Sequence, residues 1–223
     1  LALGVPAVSA NVTNTVALVP GYVGGIAGYR RELRGQRSTI LLLLPAAFVG
    51  AVIGATILLT TSSRIFRGIV PVLVLGASLL LLAQPAIQRR LTRLHPETGE
   101  AIIAEHDITS FLGVMVAAVY GGYFGGVLGV ILLAILGLTM TDHLQRLNAL
   151  KSVLQFAINI VAVVIFAIWG PVQWAVVLLM APLSLLGGWL GSHYGRRLPP
   201  IHLRRFVGVY GVGCAITLVV TLR

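Results

Sequence analysis

The chain has 223 residues, of which 57% are hydrophobic and 10% charged, and its formal net charge is +10 at pH 7. So high an apolar content excludes a water-soluble globular domain and indicates an integral membrane protein. The single cysteine, Cys214, excludes a disulfide within the chain. Because the charges lie between apolar runs, the basic excess is typical of cytoplasmic loops, and we expect no nucleic-acid partner.

Apolar runs of about 20 residues, the length that crosses a lipid bilayer, recur along the chain. The runs are continuous rather than alternating, so they predict helices and exclude a membrane β-barrel. The predicted spans are 5–29, 38–60, 65–87, 110–139, 144–168, 171–193 and 201–222. The sequence therefore predicts an all-α polytopic membrane protein.

The first predicted span begins at once with LALGVPAVSANVTN, without an initiator methionine or the features of a secretory signal. We expect the chain to be the remainder of a longer protein. Polar residues mark this span at Asn11, Thr13, Asn14 and Thr15. Hydrogen bonds between helices would explain them, and so would a substrate site that includes Asn11, Asn14 and Thr15.

A shift of about 134 to 137 residues aligns two halves of the chain, which indicates an internal repeat. Asn14 then meets Asn148, and GAVIGA at 50–55 meets GGWLGS at 187–192. The long polar stretch between the halves is predicted to be a cytoplasmic linker. We predict a first repeat at 1–87, the linker at 88–107 and a second repeat at 108–223.

The second repeat opens with a segment at 108–139 that is too long for one crossing. A continuous helix there would measure about 48 Å at 1.5 Å per residue, against a hydrocarbon core of ~30 Å. GGYFGG at 121–126 predicts a break, with Gly121, Gly122 and Gly125 presenting backbone N–H groups to an anion. Close helix packing is the alternative explanation for these glycines. The matching hairpin of the first repeat would precede Leu1, and we expect it to be missing here.

The positions of arginine and lysine predict that this segment returns to the side from which it entered. Nearly all of the 16 basic residues then lie on the cytoplasmic side, and the exceptions are Arg64, Arg67 and Arg223. Equivalent loops of the two halves also exchange their charge. This exchange predicts repeats of opposite topology, each a glycine-interrupted hairpin plus three spans, as is usual in secondary transporters.

Four polar residues share one face of the span at 144–168, namely Asn148, Lys151, Gln155 and Asn159. An ammonium in hydrocarbon costs roughly 2.5–3.5 kcal/mol on insertion scales, so a lysine there normally faces protein, water or an anion. Snorkelling of Lys151 to the interface is the alternative. Because amides donate hydrogen bonds to oxyanions, we predict that Asn148, Lys151 and Gln155 form an anion site with Asn14 between the repeats.

All 6 acids and all 5 histidines lie in loops or at span ends. No pattern typical of a proton relay, a metal site, a haem site or a catalytic triad is evident in the sequence. We therefore expect neither an enzyme nor a bound cofactor.

Three segments of the chain resemble the sulfite exporter TauE/SafE family of bacterial membrane permeases. They are YGGYFGGVLGVILLAILGL, DHLQRLNALKSVLQFAINIVAVVIF and LGVPAVSANVTNTVALVPGYVGGIAGYRREL. The resemblance implies a secondary transporter of the bacterial inner membrane whose substrates are small anions such as sulfite or organosulfonates. Family members usually open with a glycine-rich segment that this chain lacks, so a site built partly from that segment would be incomplete.

An alternative function is a non-transporting membrane scaffold or accessory subunit that packs against partners through its glycine-rich helices. The repeat, the lysine within a span and the polar stripes favour transport, because a scaffold needs none of them. The sequence leaves open whether the protein is a homo-oligomer.

Overall fold

The computed structural model describes residues 6–27, 32–94, 107–140 and 142–194, and the predicted span 201–222 lies outside them. This part of the chain consists of helices joined by short loops, without a strand, which confirms the all-α class. Its helices are α1 (Ala7–Ala27), α2 (Arg37–Thr60), α3 (Ser63–Leu94), α4 (Asp107–Tyr123), α5 (Leu128–Thr139), α6 (Leu144–Trp169) and α7 (Trp174–Tyr194). Residues Arg37–Thr60, Ser63–Ile87 and Leu144–Trp169 are long and apolar enough to cross a membrane.

The helices follow the predicted spans closely, with one extension. α3 continues through Leu94, so its last residues lie within the segment 88–107 that was predicted to be a linker. Pro71 and Pro85 lie inside this helix. Membrane helices tolerate such prolines because neighbouring groups satisfy the freed carbonyls. The division into repeats at 1–87 and 108–223 stays a prediction.

α4 and α5 form an antiparallel hairpin instead of one span. The hydroxyl of Ser110, at the start of α4, donates to the hydroxyl of Thr139, at the end of α5, across 2.9 Å. Ile135 of α5 packs against Gly113 of α4. At 1.5 Å per residue α4 is about 25 Å long and α5 about 18 Å, so α5 is too short for the ~30 Å core. The segment returns to the end from which it entered, in agreement with the charge distribution.

Two hydrogen bonds place the loop before α2 at the same end of the bundle as the start of α6. Gln36 Nε2 donates to the carbonyl of Arg146 at 3.0 Å, and Arg146 Nη1 donates to the carbonyl of Arg34 at 3.0 Å. This end also holds Arg37, the first residue of α2. It is termed the basic end below.

α1 runs antiparallel to α6. Val12, near the start of α1, packs against Gly170, which follows the last residue of α6. Tyr22, near the end of α1, hydrogen-bonds to Gln155 in the middle of α6. α1 therefore begins at the opposite end of the bundle and runs toward the basic end, and α7 packs along its side.

Two buried apolar clusters hold the helices together. The first joins α2, α4, α5 and α6 and includes Leu132, Leu150 and Leu154. The second joins α1, the end of α2, the start of α3, the end of α6 and α7, and its largest members are Phe66 and Phe166. Because α6 contributes to both clusters, it is the central element of the described bundle.

α2 and α4 approach each other at the level of their backbones. A Cβ atom added at Gly50 or Gly54 would collide with backbone carbonyls of α4, and one added at Gly122 would collide with the carbonyl of Ala51. No larger residue fits at these positions without a shift of one helix. Helix packing thus accounts for Gly122, which was predicted to lie at a substrate site.

Candidate functional site

The hairpin turns in a short non-helical segment at 124–127. Gly125 has φ 74° and Val127 has φ 59°, both in the left-handed region. Such a conformation is open to glycine but costs other L-residues roughly 1–2 kcal/mol. Gly125 therefore supplies the turn, and Val127 carries backbone strain.

The predicted break is confirmed, with a correction to its position. Gly121 and Gly122 belong to the last turn of α4, and the chain leaves the helix only after Tyr123. A Cβ added at Gly121 would lie 2.6 Å from a methyl carbon of Leu128 and 3.0 Å from one of Ile158. Gly121 is thus small because three helices meet around it, and it does not present its N–H to a ligand.

Side chains satisfy the carbonyls that the break exposes. Asn11 Nδ2 donates to the carbonyl of Tyr123 at 3.3 Å, and the Tyr120 hydroxyl donates to the carbonyl of Gly126 at 2.8 Å. Irregular backbone persists at membrane depth only where such partners or water cover it. Asn11, a predicted site residue, therefore forms a hydrogen bond between α1 and the end of α4.

The start of α5 offers backbone donors. The amides of Val130 and Ile131 donate to the carbonyl of Val127 at 2.9 and 3.3 Å. In the described part of the chain, the amides of Gly126 and Gly129 donate to no backbone carbonyl. The first N–H groups of a helix carry partial positive charge, which favours anions beside them.

The polar stripe of α6 faces this start of α5. Lys151 Nζ donates to Asn148 Oδ1 at 3.2 Å, within the same helix. A Cβ added at Gly129 would lie 2.7 Å from Gln155 Oε1 and 3.7 Å from Lys151 Cδ. Lys151 is half-buried, and its side chain bends back one turn toward the start of α6, where Asn148 accepts from its ammonium.

The structure adds two residues that the sequence prediction did not include. Tyr22 of α1 hydrogen-bonds to the side chain of Gln155, and Gly129 supplies the surface on which Lys151 and Gln155 lie. Three helices, α1, α5 and α6, thus converge on the stripe. We use the name stripe site for this group, which consists of Tyr22, Gly129, Asn148, Lys151 and Gln155.

The remaining predicted residues lie elsewhere. Thr15 Oγ1 donates to the carbonyl of Asn11 at 2.9 Å, a bond within α1. Asn14 is exposed and lies near the start of α1, far along the bundle from Asn148. Since α1 and α6 are antiparallel, the two asparagines are about 25 Å apart along the bundle at 1.5 Å per residue. The predicted pairing of Asn14 with Asn148 in one site is therefore wrong in this structure.

Comparison with known proteins identifies the family. The profile of the family described as "Sulfite exporter TauE/SafE" matches residues 1–218. The chain belongs to this family. It is also similar to a "Probable membrane transporter protein" of Haemophilus influenzae, with 25% identity over 194 residues that cover 86% of this chain and 72% of that protein. No solved structure matches it. This TauE/SafE family member is thus a multi-pass membrane transporter.

The chemistry of the stripe site suits anion recognition by this family member. It combines an ammonium, two carboxamides and a phenol hydroxyl at the start of a helix. Glu32 and Asp142, the acids whose side chains the structure describes, lie at the basic end, and Asp142 accepts from Arg146. An ammonium grouped with neutral donors is suited to bind an oxyanion.

Proposed function

We propose that this TauE/SafE family member is a secondary transporter that carries small anions, sulfite or organosulfonates, across the bacterial inner membrane. The observation that supports this most directly is Lys151, whose ammonium donates to Asn148 and whose aliphatic stem packs over Gly129 at the start of α5. Lys151 is half-buried within its span, and a cation there is retained when it has a partner or a ligand, because otherwise it costs several kcal/mol.

The donors around Lys151 match the oxygens of a sulfite or sulfonate group. Such a group presents several oxygen acceptors on one sulfur atom and shares its negative charge among them. Lys151 would meet the charge, while the Gln155 carboxamide, the Tyr22 hydroxyl and the first amides of α5 would donate to the remaining oxygens. Because these groups come from three helices, binding would depend on how the helices pack.

The alternative function, a scaffold that binds partners through glycine-rich helices, requires glycines that are free of contacts within the chain. Several of the glycines do not meet this requirement. Gly50, Gly54 and Gly122 are used for packing between α2 and α4, and Gly121 for packing among α4, α5 and α6. These glycines are therefore not free to bind a partner subunit. Contacts between helices of the chain itself therefore account for these four glycines.

Uptake of sulfite and of methanesulfonate into proteoliposomes tests the proposal, with Lys151→Met as the main variant. We expect the variant to insert and fold normally, because removal of a charge from a span does not hinder insertion. Its anion binding should fall at least about tenfold, since hydrogen bonds to charged groups contribute roughly 1.5–3 kcal/mol. Lys151→Arg should also bind weakly, because a planar guanidinium does not replace a compact ammonium in a fitted site.

The matched control is Arg37→Met, which removes one positive charge from an exposed position at the start of α2. Its transport should equal that of the parent protein. If Lys151→Met transports both anions at the parent rate, Lys151 does not belong to a substrate site. If the parent protein transports neither anion, the proposed substrates are wrong.

A further inference from the structure

A group of polar contacts ties the two halves of the chain together at the basic end. Gln36, before α2, donates to the carbonyl of Arg146 in α6 at 3.0 Å. Arg146 donates in return to the carbonyl of Arg34 at 3.0 Å. Asp142 accepts from Arg146 Nε at 2.9 Å on both carboxylate oxygens. We use the name clasp for Gln36, Asp142, Arg146 and the carbonyl of Arg34.

The clasp is built as a reciprocal pair of side-chain to backbone bonds. The Gln36 side chain donates to a carbonyl of α6, and the Arg146 side chain of α6 donates to a carbonyl of the loop before α2. Gln36 is only 3% exposed, so its carboxamide is removed from water and depends on its partners, which also include the carbonyl of Glu32 at 2.9 Å. Asp142 holds the Arg146 guanidinium in position for its bond to the loop. Substitution of Gln36 or of Arg146 would remove one of the two bonds that join the segments.

The clasp and the stripe site share the same end of α6. Arg146 belongs to the first turn of this helix, and Asn148 and Lys151 follow within the next turn. Movement of the loop away from α6 would therefore separate the two halves beside the ammonium. In transporters with a site between two halves, access alternates because one half rocks against the other.

We propose that the clasp is the gate at the basic end, and that it has to open before an anion passes between the stripe site and the solution there. This inference rests on the proposed transport function. It adds the residues that control access, none of which contacts the stripe site through the hydrogen bonds described above.

Distances between spin labels test the opening of the clasp without any substrate. Labels are attached through Arg34→Cys and Gln145→Cys in a Cys214→Ser background. Both label positions are exposed, and Arg34 takes part only through its carbonyl, which the substitution keeps. With the clasp intact, we expect a short distance to predominate.

Arg146→Gln and Gln36→Ala should each move the label population toward longer distances. The expected increase of the open fraction is about tenfold for Arg146→Gln, because its lost bonds involve a charged group. Arg37→Gln removes a neighbouring exposed arginine outside the clasp and should leave the distances unchanged. Distances that stay the same in both clasp variants would overturn the proposal.

Cross-linking of the same two cysteines with a short bifunctional maleimide separates the gate from the transport proposal. Locked protein should still bind sulfite from the opposite side but should lose uptake into proteoliposomes. Full uptake by the locked protein would overturn the gate. A parent protein that transports no anion would contradict the proposed function, while the label distances would still decide whether the clasp opens.

Discussion

One methyl group at Gly54 tests the close contact between α2 and α4. A Cβ atom there would collide with the carbonyl of Val119 and lie 2.9 Å from the amide nitrogen of Tyr123. Both groups are backbone atoms of a helix, so they cannot rotate away as the end of a flexible side chain would. The two helices would have to separate, and overpacking of this kind costs about 1–3 kcal/mol. We expect Gly54→Ala to fall in the upper half of that range.

Gly76 provides the matched control, because a Cβ added there, on α3, would meet nothing within 4 Å. Replacement of a glycine by alanine inside a helix by itself gains up to about 1 kcal/mol, and both variants share this gain. The difference in unfolding free energy between Gly54→Ala and Gly76→Ala therefore isolates the overpacking cost, about 1–3 kcal/mol.

Unfolding by titration with a denaturing detergent, followed by tryptophan fluorescence, measures both variants under one condition. Gly76→Ala should be as stable as the parent protein or slightly more stable. Equal unfolding free energies for Gly54→Ala and Gly76→Ala would refute the close α2–α4 contact, and with it the explanation of Gly122 as a packing residue.

Two further predictions concern the hairpin turn and the stripe site. Gly125→Ala should lower the unfolding free energy by about 1–2 kcal/mol because φ is 74° there, whereas Gly125→Asn should cost less, and equal losses in the same titration would contradict the backbone explanation. Tyr22→Phe should weaken sulfite binding about fivefold, the effect of one lost hydrogen bond of about 1 kcal/mol, and an unchanged affinity in equilibrium binding would remove Tyr22 from the site.

The positions of the helices could be predicted because the bilayer imposes one requirement on every span. About 20 apolar residues are needed, and the chain shows this length directly. The prediction of 144–168 agrees with α6, Leu144–Trp169, almost to the residue. The break in the segment 108–139 followed from the same argument, because the segment was too long for one crossing and rich in glycine. Local composition and a length limit were sufficient for both.

The roles of individual glycines could not be predicted, because they depend on what lies opposite each one. Gly122 meets the backbone of α2, Gly125 adopts a left-handed conformation, and Gly129 lies beneath Lys151 and Gln155. All three belong to one glycine-rich run in the sequence. The clasp could not be predicted either, because Gln36 and the carbonyl of Arg146 are 110 positions apart in the sequence. Neither segment has a sequence pattern that would indicate the contact.

The contact between Tyr22 and Gln155 explains why the predicted pairing of Asn14 with Asn148 failed. Repeats of opposite topology are related by a two-fold axis in the membrane plane, so equivalent residues meet only near that axis. Under the predicted repeat Asn14 and Asn148 are equivalent, but each lies near the start of its helix, and because α1 and α6 are antiparallel the two residues lie at opposite ends of the bundle. Under the same shift of about 134 residues, Tyr22 and Gln155 are nearly equivalent, and their side chains lie close together. If the predicted repeat is real, its axis should therefore pass beside the middle of α6, and a site shared between the repeats would have to lie there.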